Sequence, residues 1–372
     1  MSGKAMEEAA KPKWNSLIVP SVQELAKKEI TEIPDRYIRP DQQQEIIVSE
    51  SDDLPEIPVI DMQRLITEES ASSEELAKLH LACKNWGFFQ LVNHGVGSRL
   101  VEKMKEETHE FFNLGMSEKN KFWQREDDVE GFGQAFVVSE DQKLDWGDLF
   151  FINTLPVHLR KPHLFPQLPL PFRETLELYS AEMKNLAVAI MEQMEKALKM
   201  ESMEMRELFK EGMQSMRMNY YPPCPQPHKV IGLTPHSDAV GLTILLQLNE
   251  VEGLQIRKDG MWVPVRPLPN AFVLNIGDIL EIITNGTYRS IEHRAMVNSE
   301  RERLSIATFY SPRYDAEIGP SPSLVTDHTP PKFKRIGVDE YFRGLFSREL
   351  QGKSYLEAMR IQQCNGNEEK TE

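Results

Sequence analysis

The chain has 372 residues, with 43 Lys and Arg against 58 Asp and Glu, and carries a formal net charge of −15. With 40% hydrophobic and 27% charged residues it has the composition of a globular protein with a large core, which excludes disordered and fibrous classes. The acidic balance argues against a nucleic-acid partner, because a phosphate-binding surface would have to work against the net field. No apolar stretch reaches the roughly 18 residues of a membrane-spanning helix, so we expect no membrane partner.

Cysteine usage and the N-terminus indicate the cellular compartment. The three cysteines, Cys83, Cys224 and Cys364, form no CxxC pair and no regular framework, as is usual in a reducing compartment. The first 14 residues carry charges throughout and lack the apolar core of a secretory signal. We expect a cytoplasmic protein, and we expect it to be a monomer.

The N-terminal part alternates between helix-type and strand-type patterns. Residues 1–53 are polar and irregular, and are predicted to form an arm whose few apolar positions dock on the body. A short edge strand at 57–61 and a helix over 73–86, ended by Gly87, precede a buried strand at 88–93. A second helix is predicted to pack on that strand, from the helical spacing of Leu100, Met104, Thr108 and Phe111.

A long helix separates this part from a region of short strands. Over 172–200, apolar residues recur every three or four positions, which is the period of an amphipathic helix. Many short strands with turn signals between them indicate a sandwich or a barrel, and not a series of βαβ units. The eight β-type runs are 213–221, 230–233, 242–248, 254–257, 262–265, 271–276, 289–297 and 303–310.

Three residues in this region have the types and spacing of a metal site. His236 and Asp238 stand two residues apart, so on an extended strand they share one face and can converge on one ion. His293, inside another β-type run, is the best placed third ligand. Two imidazoles and one carboxylate form the facial triad of non-haem Fe(II) oxygenases, which leaves three coordination positions open. On its own, however, an Asp after a His often only caps a turn.

Two more runs place polar side chains on one strand face. Arg303, Ser305 and Phe309 alternate along 303–310, and a guanidinium beside a hydroxyl is a fitting receptor for a carboxylate. Next to an iron triad, it would be the anchor for the distal carboxylate of a 2-oxo acid. On the run 213–221, the same alternation puts Arg217, Asn219 and Tyr221 on one face, as expected of a strand that lines a wet cavity. Alternatively, Asn219 has no ligand and only starts the turn into the proline-rich loop at 222–225.

Ordered motifs along the chain resemble one known family, the plant 2-oxoglutarate- and Fe(II)-dependent dioxygenases, over about residues 20–361. The motifs are WGFFQLVNHG at 86–95, NYYPPCPQP at 219–227, GLTPHSD at 232–238, NIGD at 275–278, HR at 293–294 and RLSIA at 303–307. The segments that look closest to the branch of the benzylisoquinoline alkaloid O-demethylases are GFGQ at 131–134, LDW at 144–146 and LRKP at 159–162.

The resemblance implies an α+β fold, with a double-stranded β-helix (jelly roll) core flanked by helices and an N-terminal α/β region. It implies Fe(II), 2-oxoglutarate and O₂ as cofactor and cosubstrates, with ascorbate as reductant. It assigns His236, Asp238 and His293 to iron, Arg303 and Ser305 to the distal carboxylate of 2-oxoglutarate, and Asn219 and Tyr221 to its other end. The implied divisions are an arm at 1–53, an N-terminal domain at 54–170, a linking helix at 171–211, a catalytic core at 212–315 and a helical lid and tail at 316–372.

The expected activity is oxidation of a polycyclic or aromatic plant metabolite, such as an alkaloid, a flavonoid or a terpenoid. The oxidation is a hydroxylation or an oxidative O-demethylation, with succinate and CO₂ as coproducts. A competing interpretation is an oxidase of the same fold that does not use 2-oxoglutarate and binds its substrate carboxylate at Arg303 and Ser305. A desaturase or ring-closing enzyme would carry the same motifs, and a binding protein could have kept only the cavity. Substrate type does not follow from the fold.

Substrate contacts are predicted mainly from aromatic residues, although each is equally consistent with a place in the core. A carboxylate before Trp146, Asp145, is a candidate for orienting a cationic nitrogen of the substrate. Two histidines, His94 and His228, have no carboxylate at ligand spacing and are predicted to be structural. The candidates for the pocket wall are Phe309, Phe132, Phe136, Leu144 and Phe150.

Overall fold

The computed structural model describes residues 17–28, 30–40, 55–67, 70–125, 128–134, 137, 139–201, 203–346 and 352–362. The helices are α1 (Val22–Ala26), α2 (Met62–Ile66), α3 (Ser70–Asn85), α4 (Ser98–Asn113), α5 (Met116–Lys119), α6 (Leu170–Leu198), α7 (Glu204–Phe209), α8 (Asp278–Ile283), α9 (Val338–Phe346) and α10 (Ser354–Met359).

The strands are short, as the turn signals predict. They are β1 (Val59–Asp61), β2 (Phe88–Val92), β3 (Gly131–Gly133), β4 (Asp148–Leu155), β5 (Met213–Tyr221), β6 (Leu233–His236), β7 (Leu242–Gln247), β8 (Leu254–Lys258), β9 (Met261–Pro264), β10 (Phe272–Ile276), β11 (His293–Ala295), β12 (Arg303–Ser311), β13 (Glu317–Ile318) and β14 (Ile336–Gly337).

Two sheets form the centre of the molecule. The larger has eight strands in the order β1-β2-β10-β7-β12-β5-β4-β3, and the smaller has four in the order β6-β11-β8-β9. Consecutive neighbours are mostly distant in sequence, and apart from β1 with β2 every pair in the two sheets is antiparallel. This is a jelly roll with added strands from the N-terminal region, so the predicted α+β jelly-roll class is confirmed.

The centre of the larger sheet separates a polar face from an apolar one. Strand β12 pairs with β5 and β7, with Ser305 opposite Asn219 and Phe309 opposite Ser215. Alternation sends Met216, Met218 and Ile306 into the hydrophobic core, where each is fully buried. The same alternation keeps Arg303, Ser305, Asn219 and Arg217 together on the opposite face.

The 29-residue helix α6 carries a stripe of buried residues that includes Leu176, Tyr179 and Met183. It ends at Leu198, where Lys199 adopts a left-handed conformation (φ +53°) and the N–H groups of Lys199 and Met200 donate to Glu195 O in the last turn. Helix α4 packs mainly against α6. Helix α3 contacts strand β2, and residues of α4 and β2 belong to the same hydrophobic cluster, so the predicted packing of α4 on β2 stays a prediction.

The described parts of the predicted N-terminal arm dock on the body. The carboxylate of Asp148, at the start of β4, accepts hydrogen bonds from Ser21 Oγ (2.6 Å) and from the backbone N–H groups of Val22 (2.8 Å) and Gln23 (2.9 Å). These N–H groups belong to the first turn of α1, where backbone N–H groups have no acceptor within the helix. The arm is therefore attached to the first residue of β4.

One hydrophobic cluster runs from Ile60 near the N-terminus to Met359 near the C-terminus, through α6 and both sides of the chain around it. This cluster crosses the proposed divisions at 170, 211 and 315, and a second cluster joins residues 19–37 to the body across the division at 53. The domain boundaries therefore stay a prediction. Within the described ranges, no helix combines the length and the apolarity needed to cross a membrane.

Candidate metal centre and adjoining cavity

The smaller sheet brings three distant residues to one point. His236 ends β6, Asp238 follows two residues later, and His293 begins β11 directly opposite His236 in the antiparallel register. The Nε2 atoms of His236 and His293 lie 3.4 and 3.7 Å from Asp238 Oδ1. One nitrogen or oxygen from each residue lies within 4.8 Å of the others, which makes this the one group of three buried ligand residues among those described.

Each imidazole is held through its other nitrogen. His236 Nδ1 lies 2.8 Å from the carbonyl oxygen of Thr234, and His293 Nδ1 lies 3.2 Å from that of Ile291. Because a carbonyl only accepts, each Nδ1 carries the hydrogen and each Nε2 keeps its lone pair. Both lone pairs are thus available at the point where the three residues converge, as a metal site requires.

The carboxylate of Asp238 divides its two oxygens between two tasks. Its Oδ2 accepts hydrogen bonds from Thr243 Oγ1 (2.6 Å) and Asn275 Nδ2 (2.8 Å), which project from β7 and β10 of the larger sheet. Its Oδ1 faces the two imidazoles. The supporting hydrogen bonds fix the side chain across the gap between the sheets and leave one oxygen for an ion.

The protonation states suit a cation. Burial opposes ionisation of Asp238, but the imidazoles of His293 and His236 and the hydroxyl of Thr243 outweigh it and hold the pKa of this carboxyl well below its usual range. Burial and the neighbouring His236 lower the pKa of His293 to about 4. At neutral pH the site therefore contains a carboxylate and a neutral imidazole, the forms that bind metals.

On the larger sheet, Arg303 of β12 is a buried cation without a carboxylate partner among the described residues. Its Nη2 donates a hydrogen bond of 3.3 Å to Gln247 Oε1, its guanidinium lies 5.5 Å from the ring centre of Tyr221, and its Nε has no partner. Burial lowers the pKa of Arg303, although Tyr221 opposes this. A buried unpaired guanidinium is costly, so the site fits an anionic ligand.

A chain of polar contacts joins Arg303's neighbours to the cavity. Asn219 Nδ2 donates to Ser305 Oγ at 3.3 Å, and Arg217 Nε donates to Asn219 Oδ1 at 2.7 Å. Asn219, Tyr221, Arg303 and Ser305 are all buried. The structure thus brings all four residues predicted to bind 2-oxoglutarate onto one patch of the larger sheet, in the register that strand alternation predicts.

A cavity of about 260 Å³ opens beside the metal centre, with His236 and Asp238 in its wall. Apolar and aromatic side chains dominate its wall. Its described lining residues are Val129, Leu149, Phe151, Asn153, Met213, Ser215, Arg217, His236, Ser237, Asp238, Ala239, Val240, Phe309, Ser311, Tyr314, Phe342 and Leu345.

Of the predicted pocket residues, Phe309 lines this cavity and three others do not. Phe132 and Phe150 are fully buried in the main hydrophobic core around Phe111, and Leu144 belongs to a second cluster beneath the N-terminal arm. Their prediction as pocket residues is wrong, because their side chains pack inside these clusters and do not line the cavity. Phe136 lies outside the described residues.

Asp145 also lies away from the cavity. Its Oδ1 pairs with Arg39 at 2.9 Å and accepts a hydrogen bond from Thr234 Oγ1 at 2.6 Å, while its Oδ2 accepts one from the backbone of Thr234. Since these bonds attach the N-terminal arm to β6, the carboxylate serves packing. The prediction that it orients a cationic nitrogen is therefore corrected.

Several cavity residues were not found from the sequence. They are Leu149, Phe151 and Asn153, which project from β4. Strand alternation over Asp148–Leu155 could have identified them. Phe150 and Ile152 face the core, and the alternate residues Leu149, Phe151 and Asn153 face the cavity. The C-terminal segment expected to form a helical lid contains α9, whose Phe342 and Leu345 contribute apolar side chains to the wall. Its role as a lid stays a prediction.

The two histidines predicted to be structural stay outside the metal centre. His94 Nε2 lies 3.2 Å from the carbonyl oxygen of Asn270, and its ring packs on Phe272. His228 lies in the loop before β6. Neither belongs to the described cluster of ligand residues.

Two imidazoles and a carboxylate at the mouth of an apolar cavity in a jelly roll define a non-haem iron oxygenase. Residues 212–312 match the model of the 2OG-Fe(II) oxygenase superfamily, and residues 57–168 match that of the non-haem dioxygenase in morphine synthesis N-terminal family. The chain belongs to the 2OG-Fe(II) oxygenase superfamily, and it is a 2-oxoglutarate-dependent dioxygenase that uses Fe(II).

Three curated proteins illustrate the relationship. Protein SRG1 of Arabidopsis thaliana is 60% identical over 96% of this chain and 100% of its own. Oxoglutarate-dependent flavonoid 7-O-demethylase 1 of Ocimum basilicum is 58% identical over 93% of this chain and 92% of its own. Codeine O-demethylase of Papaver somniferum is 56% identical over 93% of this chain and 97% of its own. The expected similarity to plant O-demethylases is confirmed.

The fold is also that of a solved relative. The crystal structure of JOX2 in complex with 2OG, Fe, and JA has a TM-score of 0.84 and 37% sequence identity, and the match covers 92% of this chain and 98% of that chain. That protein was crystallised with the metal and cosubstrate that the site described above fits.

Proposed function

We propose that His236, Asp238 and His293 hold Fe(II), and that the cavity beside them holds an aromatic plant metabolite for hydroxylation or oxidative O-demethylation. The convergence of the three ligand atoms within 4.8 Å, at the wall of that cavity, carries the proposal. Three protein ligands leave three positions of an octahedral ion open. Bound Fe(II) supplies the redox chemistry by which 2-oxoglutarate and O₂ are consumed.

The protein residues position the reactants. Arg303 and Ser305 hold the distal carboxylate of 2-oxoglutarate, since the buried guanidinium has no carboxylate of its own among the described residues. Asn219 and Tyr221 contact the other part of the cosubstrate. Because these residues sit on the wall of the larger sheet and the iron ligands on the smaller, the cosubstrate lies between the sheets, and the substrate is oriented by the remaining cavity wall.

The balanced reaction depends on the group oxidised. In hydroxylation, R–H, 2-oxoglutarate and O₂ give R–OH, succinate and CO₂. In O-demethylation of an aryl methyl ether, the methyl group is hydroxylated and the product loses formaldehyde, so the phenol, formaldehyde, succinate and CO₂ are formed. The apolar, partly aromatic wall supports an aromatic substrate. The names of two relatives, the flavonoid and codeine O-demethylases, support O-demethylation.

The test is an aerobic assay of the purified chain with Fe(II), 2-oxoglutarate and ascorbate, which we propose as the reductant. A panel of O-methylated flavonoids, alkaloids and coumarins is offered, and succinate, formaldehyde and substrate loss are measured together. We expect one succinate for each substrate oxidised, with formaldehyde in the same amount for a methyl ether. Substrate loss without succinate would instead indicate an oxidase that does not use 2-oxoglutarate.

We also propose a cytoplasmic monomer that works without nucleic acid, divided at about residues 53, 170, 211 and 315. The free, buried thiols of Cys83 and Cys224 support a reducing compartment. A fluorescent fusion tests the location, and size-exclusion chromatography with light scattering tests the oligomeric state. Limited proteolysis at the proposed divisions tests the domain boundaries.

A further inference from the structure

Arg217 is the one Arg or Lys among the described residues that line the cavity. It lies on β5 between Phe151 of β4 and Ala307 of β12. Its Nε donates a hydrogen bond to Asn219 Oδ1, which fixes the plane of the guanidinium. Within the described part of the chain, neither terminal amino group has a hydrogen-bond or ion-pair partner. Arg217 is half-buried and therefore offers unpaired, partly desolvated donors to a cavity ligand.

No described side chain that lines the cavity offers a free carboxylate to balance the positive charge of Arg217. Asp238 is the one acidic residue among the described cavity-lining residues, and its two oxygens are engaged by the imidazoles, Thr243 and Asn275. The uncharged polar groups are Asn153, Ser215, Ser237, Ser311 and Tyr314.

This charge pattern distinguishes two classes of aromatic substrate. A carbonyl, hydroxyl or phenolate oxygen would receive charge-assisted hydrogen bonds from Arg217. A protonated amine would meet a like charge in a cavity of low dielectric and would find no free carboxylate on the described wall.

We infer that Arg217 selects substrates by charge: the preferred substrate is a neutral or weakly acidic oxygenated aromatic compound, and protonated amines are disfavoured. This inference rests on the proposed function, because it concerns the occupant of the same cavity. The adjoining rings of Phe151 and Phe309, whose centres are 6.5 Å apart, supply apolar faces beside the guanidinium. An aromatic body can contact these rings while its oxygen reaches Arg217.

The experiment compares three probes of similar size in the Fe(II) enzyme with 2-oxoglutarate. They are a methoxyflavone with a 4-keto oxygen, the matching methoxyflavan without it, and an O-methylated benzylisoquinoline whose amine is protonated at pH 7. The variants are Arg217→Met, which removes the charge, and Arg217→Glu, which reverses it. The matched control is Arg99→Met, since Arg99 is exposed on α4 and lies outside the cavity.

We expect the wild-type enzyme to favour the flavone over the amine. Arg217→Met should raise KM for the flavone about 10- to 100-fold, the range of a charge-assisted hydrogen bond. It should change KM for the flavan by less than about twofold, because the flavan lacks the keto oxygen that the terminal amino groups would contact. KM for 2-oxoglutarate should rise less than KM for the flavone, because the variant removes the Nε donor to Asn219 Oδ1 but keeps Asn219 itself. Arg217→Glu should shift the preference toward the amine, and Arg99→Met should behave as wild type.

Two results would overturn the inference. One is equal or better use of the amine by the wild-type enzyme. The other is a rise in KM for 2-oxoglutarate and not for the flavone in Arg217→Met, which would make Arg217 part of the cosubstrate site. Equilibrium binding of the probes, followed by tryptophan fluorescence under anaerobic conditions, decides the charge preference even without turnover. Preferential flavone binding without turnover would count against the proposed function alone.

Discussion

The metal end and the substrate end of the cavity are built in different ways. At the metal end, each ligand side chain has a second partner: a backbone carbonyl for each imidazole, and Thr243 and Asn275 for Asp238. At the substrate end, the wall combines mostly apolar side chains from β4, β5, β12 and α9. Directional hydrogen bonds fix atomic positions, whereas apolar contacts fix mainly the shape of a cavity.

This difference teaches which changes should be severe and which graded. Loss of one hydrogen-bonded ligand removes a coordinate bond and leaves its partners unsatisfied. Loss of one apolar side chain enlarges the cavity but leaves the iron and cosubstrate sites intact. Variants at the metal end should therefore lose turnover, and variants at the substrate end should change KM for the organic substrate.

The largest effect is expected from His293→Ala. Two ligands remain and the facial triad is lost, so Fe(II) binding weakens and 2-oxoglutarate turnover falls below detection. The measurements are iron content after dialysis and succinate formation. The matched control is His94→Ala, which removes an imidazole that lies outside the cluster and should retain turnover. Equal loss in both variants would remove the assignment of His293 to the metal.

The next effect concerns the cosubstrate. Arg303→Met removes the charge-assisted contacts to a carboxylate, so we expect KM for 2-oxoglutarate to rise about 100-fold. Arg303→Lys keeps the charge but lacks the planar guanidinium, so its KM for 2-oxoglutarate should lie between those of the wild type and Arg303→Met. Steady-state kinetics with varied 2-oxoglutarate at fixed organic substrate give these values.

The same pair of variants has a second readout that does not depend on turnover. Arg303 is buried without an acidic partner among the described residues, so replacing it by Met should leave the free energy of unfolding of the ligand-free protein unchanged, or raise it by about 1 kcal/mol. Stabilisation of the wild-type protein by added 2-oxoglutarate should be lost in Arg303→Met. Retained stabilisation would place the carboxylate elsewhere.

Neighbouring phenylalanines on β4 test the substrate end. Phe151 faces the cavity and Phe150 is fully buried in the core. Phe151→Ala should raise KM for the aromatic substrate about 10-fold, through lost ring contacts, at little cost in stability. Phe150→Ala should lower the free energy of unfolding by about 3–5 kcal/mol and change KM little. Thermal unfolding and kinetics of the two variants give a direct comparison, and the reverse pattern would exchange the two faces of the strand.

The same contrast explains what the sequence could predict. The spacing His236-Ser237-Asp238 and the alternation of Arg303, Ser305 and Phe309 are local patterns, so the structure reproduces them on single strand faces. The eight β-type runs after Gly212 also correspond to strands, although those around 230–233 and 289–297 are shifted or shorter. Strand period and polar residue type carry this information without knowledge of the tertiary structure.

The substrate wall is different, because it exists only after distant elements meet. The composition of 131–150 indicates aromatic contacts but not which face of β4 points inward, and one residue decides between core and cavity. Short elements are also hard to predict: helix α8 has only six residues, too few for a clear helical period. Families that share the iron site can thus differ in the residues least visible in sequence.

The smallest effect is expected from Asp145→Asn. The sequence predicts this residue as a substrate contact, whereas the structure shows it bonded to Arg39 and Thr234. The carboxylate pairs with Arg39 and accepts hydrogen bonds from Thr234, outside the cavity. We therefore expect KM for any organic substrate, including an amine, to change by less than about twofold, and the free energy of unfolding to fall by about 1 kcal/mol as the arm loses an ion pair. Chemical denaturation and kinetics with an amine and a neutral substrate measure both. A selective rise in KM for the amine would return Asp145 to the substrate site and would weaken the division between the two ends of the cavity.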